Sequence, residues 1–231
     1  MFYLNSNYLM YMLQGLLLMM LSEWYVNSAY KKYSQVAARS GLTGAQAAQR
    51  LISSSGLYQV RIETVRGNLT DHYDPRSKTL RLSAGVAQSP SVAALAISAH
   101  ELGHAMQDAE NYFPLRLRAA LVPAVNIGSY LGWILIFIGL MLRMTDLAWL
   151  GVLVFAGGAV FALATLPVEL NASARAKQLL ANTGMISGEE ERQGVNRVLN
   201  AAALTYVAGL VTAIMQLLYF VSLVGGSSRR R

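Results

Sequence analysis

Apolar and polar positions in this chain separate into long blocks. Four blocks are apolar over close to the length that crosses a bilayer, about 20 residues. They are Phe2–Val26 with its core at Tyr8–Leu21, Pro123–Leu142, Leu147–Leu166 and about Ala201–Val224. The first carries no charged side chain before Glu23. It lacks a basic leader and a small-residue cleavage site, so it reads as an uncleaved anchor rather than a signal peptide. Only Arg143, Met144, Thr145 and Asp146 separate the second and third blocks, which predicts a tight helical hairpin. A buried soluble helix is the alternative for any one block, but four in 231 residues favour membrane spans.

The polar stretches predict shorter elements. Gly41–Gly56 reads as a helix, with Thr43 and Gln46 at capping-box spacing and Gly56 as its stop. Tyr58, Val60 and Ile62 alternate, which suggests a strand over Tyr58–Val65. Leu69–Tyr73 and Thr79–Leu82 flank the turn sequence Asp74-Pro75-Arg76-Ser77 and read as a strand pair. Ser89-Pro90 has the order of an N-cap and a first helical residue, and opens a helix to about Glu110. Another helix is expected after Pro167, ending at Gly184. Ser187 and Glu190 then offer a capping box for a helix that continues into the fourth span. Glu189, Glu190 and Glu191 read as its solvated, dipole-favoured first turn.

Composition agrees with this picture. The chain is 54% apolar and 13% charged, whereas soluble domains run about 45–50% and about 25%. Disordered chains are apolar-poor, so disorder is excluded. The net charge is +7, but no dense basic helix or aromatic-interleaved patch supports nucleic-acid binding. Of the 19 Lys and Arg residues, 15 fall in Glu23–Val122 and Pro167–Asn200. Four crossings put those stretches on one side, which should be cytoplasmic. Arg229, Arg230 and Arg231 then sit across the membrane against the charge rule, unless the last helix crosses incompletely. With no cysteine, disulfides, thiolate ligands and a cysteine nucleophile are excluded.

Three histidines are available, His72, His100 and His104. Two belong to His100-Glu101-Leu102-Gly103-His104 on a predicted helix. A separation of four residues puts both imidazoles on one face, one turn apart, where they can share a metal. Imidazole suits zinc, and a catalytic zinc takes three protein ligands plus water. Glu101 stands where a general base for a metal-activated water belongs. The alternative is two core histidines beside a solvated Glu101. Gly103 admits close approach of another backbone, for a site or for plain packing. Glu169 stands out as third ligand, because two crossings return the chain to the side of His104; its alternative is an ordinary interfacial carboxylate. Asp108 and Glu110 are expected to face solvent or to support the site. His72 is a candidate transition-state donor or a structural cap on the Asp71–Pro75 turn. Tyr206 and Arg175 are further donor candidates with structural alternatives.

The blocks Lys31-Lys32-Tyr33-Ser34, Ser40-Gly41-Leu42-Thr43-Gly44, Leu69-Thr70-Asp71-His72-Tyr73-Asp74-Pro75, Ala99-His100-Glu101-Leu102-Gly103-His104-Ala105, Leu166-Pro167-Val168-Glu169 and Ala202-Ala203-Leu204-Thr205-Tyr206 follow one another in order. Together they resemble the YugP-type bacterial membrane zinc metallopeptidases over nearly the whole chain. The resemblance implies a gluzincin-like site in which His100, His104 and Glu169 bind Zn2+ and Glu101 is the base. The related membrane-peptidase pattern carries Asp four residues after the ligand Glu; this chain has Ser173.

The expected fold is a mainly α integral membrane protein with about four transmembrane helices and a small α+β zincin-like catalytic domain. Its parts are an anchor (1–26), a catalytic region with a short sheet and the HExxH helix (27–122), a hairpin (123–166), a third-ligand helix and linker (167–200), a last span (201–224) and a disordered basic tail (225–231). The expected function is a membrane-bound zinc endopeptidase, a metallopeptidase hydrolase of the bacterial inner membrane. It would be multi-pass, with its catalytic domain on the cytoplasmic side, and would cleave membrane-associated proteins or peptides. A homo-oligomer or a regulatory membrane partner is compatible with it. The competing readings are an intramembrane site-2-type protease and a non-enzymatic zinc-containing scaffold or chaperone.

Overall fold

The computed structural model describes residues 6–228. Residues 1–5 of the expected anchor and 229–231 of the expected tail lie outside the described residues. The elements are α1 (Ser6–Tyr33), α2 (Gly44–Ser54), β1 (Arg61–Val65), β2 (His72–Asp74), β3 (Thr79–Ser83), α3 (Ala84–Ala87), α4 (Val92–Ala109), α5 (Phe113–Met141), α6 (Thr145–Asn182) and α7 (Glu189–Ser228). They divide into two compact units. The first holds Met1–Ser22, Arg116–Leu166 and Thr205–Arg231; the second holds Glu23–Leu115 and Pro167–Leu204.

In the first unit the apolar blocks are helical. Among the described residues, three helices are long and apolar enough to cross a membrane: Phe113–Met141, Thr145–Asn182 and Glu189–Gly226. The predicted hairpin is present as α5 and α6. Met144 N–H donates to the Gly139 carbonyl at 2.7 Å while Arg143 adopts φ 58°, the left-handed stop that closes a helix end. Glycines let the two helices touch. A side chain at Gly132 would meet Phe155 N at 2.9 Å, and one at Gly151 would meet Ile136 N at 2.6 Å. Small residues at such crossings are the usual means by which helices associate in lipid. Around them Ile136, Ala148, Val152, Phe220 and Val224 form a small buried cluster.

The second unit is built around α4. This helix is buried nearly all round, through Val92, Ala93, Ala94, Leu95, Ala96, Ala99, Leu102 and Ala105, as an apolar helix inside a core must be. Its many alanines let neighbours approach. α2, α3, β2 and β3 all pack on it. The sheet has order β1-β3-β2, with β1 parallel and β2 antiparallel to β3. Asp74 anchors the β2–β3 turn, accepting from Ser77 Oγ at 2.7 Å and Arg81 Nη1 at 2.9 Å. Those donors hold its carboxyl well below the usual carboxylate range.

Several boundaries differ from expectation for local reasons. α2 has the predicted capping box: the Thr43 side chain accepts from Gln46 N–H, and Gln46 returns the bond. α4, however, starts at Val92 with Ser91 as N-cap, two residues later than Ser89-Pro90 suggested. The Pro90 carbonyl is taken by Ala38 N–H and Val92 N–H goes to Val36, so Pro90 belongs to an extended pairing with the segment after α1. The strand expected from Tyr58 starts at Arg61. Pro167 does not divide two helices; it lies inside α6. Proline inside a helix forfeits a hydrogen bond, yet this one leaves Val168, Ala172, Ala176 and Leu180 as one buried stripe. Gly225–Ser228, expected as disordered tail, form the last turn of α7.

The start of α7 corrects another expectation. Glu191 is buried, not solvated. Its carboxylate accepts from Ser187 N–H at 2.6 Å and from Arg39 N–H at 2.7 Å. Glu191, rather than Glu190, thus reaches back to Ser187, and it also fastens the segment between α1 and α2.

Candidate metal centre

The α4 helix presents His100 and His104 on one face, their ring centroids 4.9 Å apart and nearly perpendicular. Glu169 comes from α6, only 2% exposed. Its Oε2 lies 3.3 Å from His100 Nε2 and 3.4 Å from His104 Nε2. One ligand atom from each of these residues falls within 4.8 Å of the others. Two imidazoles and a carboxylate make a hard-to-borderline donor set that fits a zinc-like divalent ion. Gly103 makes the arrangement possible. A side chain there would meet the Ala172 carbonyl oxygen at 2.6 Å, so α4 and α6 approach backbone to backbone where the ligands converge.

The outer ring nitrogens are also engaged. His104 Nδ1 lies 3.0 Å from Gln107 Oε1, and His100 Nδ1 lies 3.2 Å from Ser173 Oγ. Partners at Nδ1 orient each ring so that Nε2 faces Glu169. A hydroxyl at Ser173 thus occupies the position where the related pattern has a carboxylate. Gln107 is buried and donates to the Val168 carbonyl at 2.8 Å and to Asn171 Oδ1 at 2.9 Å.

Glu101 is held from the sheet. Its Oε2 accepts Tyr73 N–H at 3.1 Å. That N–H is therefore outside the ladder with β3, and it points off the outer edge of the sheet. The Tyr73 hydroxyl returns to α4, donating to Asp108 Oδ2 at 2.8 Å, and Lys78 pairs with the same carboxylate. The result is a two-point attachment of β2 to the helix that carries the motif. Burial pushes the Glu101 carboxyl up, against the opposing pull of His100 and His104. Burial, then the bond to Asp108, raises the Tyr73 phenol far above its ordinary value.

The three candidate donors have different surroundings. His72 is on β2, exposed, with Nδ1 2.8 Å from the Thr70 carbonyl. Strand alternation turns its ring to the opposite face from Tyr73. Arg175 grips Glu110 through both terminal nitrogens, at 2.6 and 2.7 Å, and donates through Nε to Asn171 Oδ1 at 2.7 Å. Tyr206 is on α7 in the first unit. Sequence reasoning missed Gln107, Tyr73 and Asn171. Gln107 was the most findable, three residues beyond His104 on the same helical face.

With this geometry in place, the comparisons decide the lineage. Residues 8–225 match the profile of a family described as "Putative neutral zinc metallopeptidase". The chain belongs to that family. It is also similar to "Putative membrane protease YugP" of Bacillus subtilis (strain 168), 46% identical over 200 residues, covering 87% of this chain and 88% of the relative. No solved structure matches it.

Proposed function

We propose that this family member is a membrane-bound zinc-dependent endopeptidase whose metal ligands are His100, His104 and Glu169 and whose general base is Glu101. The observation that carries the reading is the convergence of those three ligand atoms within 4.8 Å, with Glu101 on the same turn of α4. A zinc ion held by His100, His104 and Glu169 would supply Lewis acidity there, to activate a water and to polarise the scissile carbonyl. Glu101 takes the proton of the attacking water at a carboxylate oxygen and passes it to the leaving amine nitrogen. The Tyr73 N–H keeps that carboxylate aimed. β2 is the outer strand of its sheet, which suits an extended peptide docking beside it. For the transition-state donor, His72 and Tyr206 are the candidates, since the Arg175 guanidinium is taken by Glu110 and Asn171. Replacing the true donor should lower kcat by about 10²–10³, and replacing the other by far less.

The protein substrates are membrane proteins or peptides, and the enzyme is a multi-pass protein of a bacterial inner membrane. α1 serves as a fourth crossing beside the three apolar helices. The excess of Lys and Arg in the polar stretches puts the zincin-like catalytic region in the cytoplasm. α4 is not among the long apolar helices, which favours this reading over cleavage within a span. The full motif with its Glu favours it over a scaffold, since structural zinc sites close with four protein ligands.

The test is Glu101→Gln in the purified full-length protein, assayed on an unfolded polypeptide with zinc content measured in parallel. Zinc should be retained while cleavage falls by about 10²–10⁴. Undiminished cleavage by the variant would overturn the proposal.

A further inference from the structure

Gln107 offers the second unit something its motif does not: a directional chain of hydrogen bonds between the two ligand-bearing helices. Arg175 begins it. A guanidinium has donors only, so its Nε, 2.7 Å from Asn171, must meet the amide oxygen of that side chain. The same oxygen then accepts from Gln107 Nε2 at 2.9 Å. The Val168 carbonyl, an acceptor only, takes a second bond from Gln107 Nε2 at 2.8 Å. Both neighbours therefore demand the amide nitrogen of Gln107, which is fully buried. An inverted amide would set oxygen against two oxygens in a fully buried position and leave those groups unpaired. Gln107 Oε1 must then face His104, 3.0 Å away. An amide oxygen only accepts, so His104 Nδ1 carries the proton and Nε2 carries the lone pair. Glu110 closes the chain by gripping Arg175 from the end of α4.

His100 contrasts with this. Its partner is the Ser173 hydroxyl, which can donate or accept. Ser173 positions the ring without dictating its tautomer. The relay's directional control falls on His104.

We propose that Glu110, Arg175, Asn171 and Gln107 form a polarised relay that locks the tautomer of His104 and holds α6 in register with α4, making Gln107 and Asn171 determinants of metal affinity. This rests on the metal-centre reading above. All four are positioning residues. Arg175 acts in this way through Asn171 and Gln107 rather than on substrate.

The test measures zinc dissociation constants by chelator competition on the full-length protein in detergent, with the visible spectrum of the cobalt(II) form as a second readout. Gln107→Leu removes the relay's contact with His104. It should weaken zinc binding about 10–100-fold and alter the cobalt spectrum. Asn171 is used only as an acceptor, so Asn171→Asp should bind zinc within about threefold of wild type. Asn171→Leu should lose about tenfold or more. A merely structural Asn171 would not be rescued by Asp over Leu in this way. If Gln107→Leu does not fold, the Asn171 pair decides. Wild-type zinc affinity in Gln107→Leu, or equal losses in both Asn171 variants, would overturn the relay alone. A wild-type protein that binds no zinc, or a His100→Ala variant that binds it equally well, would instead overturn the metal-centre reading and the relay with it.

Discussion

The two units use apolar residues in opposite ways. In the first, large apolar side chains face outward: Tyr130 is 78% exposed, Leu153 71% and Ile127 69%. Its buried cluster is small, and its helices meet through glycines. In the second, a large apolar set turns inward around α4, where Leu51, Leu80, Leu82, Leu95 and Leu102 are fully buried, while Trp24, Tyr58 and Phe113 stay exposed. Under the proposed membrane placement the contrast follows from different solvents. A helix surrounded by lipid gains little by hiding leucine, and close packing of small residues replaces the hydrophobic drive. In water the same leucines must go inside. The second unit is also where buried polar groups concentrate, since Glu169, Gln107, Ser173 and Glu191 all lie there.

The comparison is broken most forcefully at Leu95. Leu95→Ala should destabilise the second unit by about 2–5 kcal/mol, measured as a loss of thermal stability of the purified protein. Next is Leu153→Arg. If Leu153 faces lipid, the charge should cost about 2.5–3.5 kcal/mol near a span centre, seen as impaired insertion in a glycosylation-reporter assay. On a water-facing surface the same change would stay within about 0.5 kcal/mol, and normal insertion would count against a lipid-facing unit. Glu191→Ala should cost roughly 1–3 kcal/mol, because it strips two backbone N–H groups of their acceptor. Proteolysis between α1 and α2 should speed up as Arg39 is released. The smallest effect is Thr43→Ala, about 1 kcal/mol from loss of the α2 cap, detectable as a small drop in melting temperature with activity retained.

Much of the fold was legible because its signals are local. The apolar blocks, the hairpin, the α2 capping box and the β2–β3 turn each depend on residues a few positions apart. The same holds for the pairing of His100 with His104, which helical spacing alone decides. The helical hairpin between His104 and Glu169 suggested that Glu169 returns to the level of His104, and the structure brings the two side chains together. The misses have a common cause. Pro167 reads as a break locally, yet α6 runs through it. Ser89-Pro90 resembles a helix start, but its backbone pairs with residues near Val36. Glu191 looks solvated by composition and is buried by contacts with Arg39.

The sequence by itself determined that this chain has long membrane-compatible helices, an HExxH pair on one helical face and a carboxylate positioned to return to it. Those are consequences of hydropathy and of the 3.6-residue period. Only the tertiary structure decided that β1 runs parallel to β3, that Tyr73 delivers its N–H to Glu101, and that Gln107 stands between His104 and α6. These depend on contacts between residues up to 64 positions apart, such as Gln107 with Asn171. Such contacts are set by packing geometry, as at Gly103 against Ala172, and no local pattern encodes it.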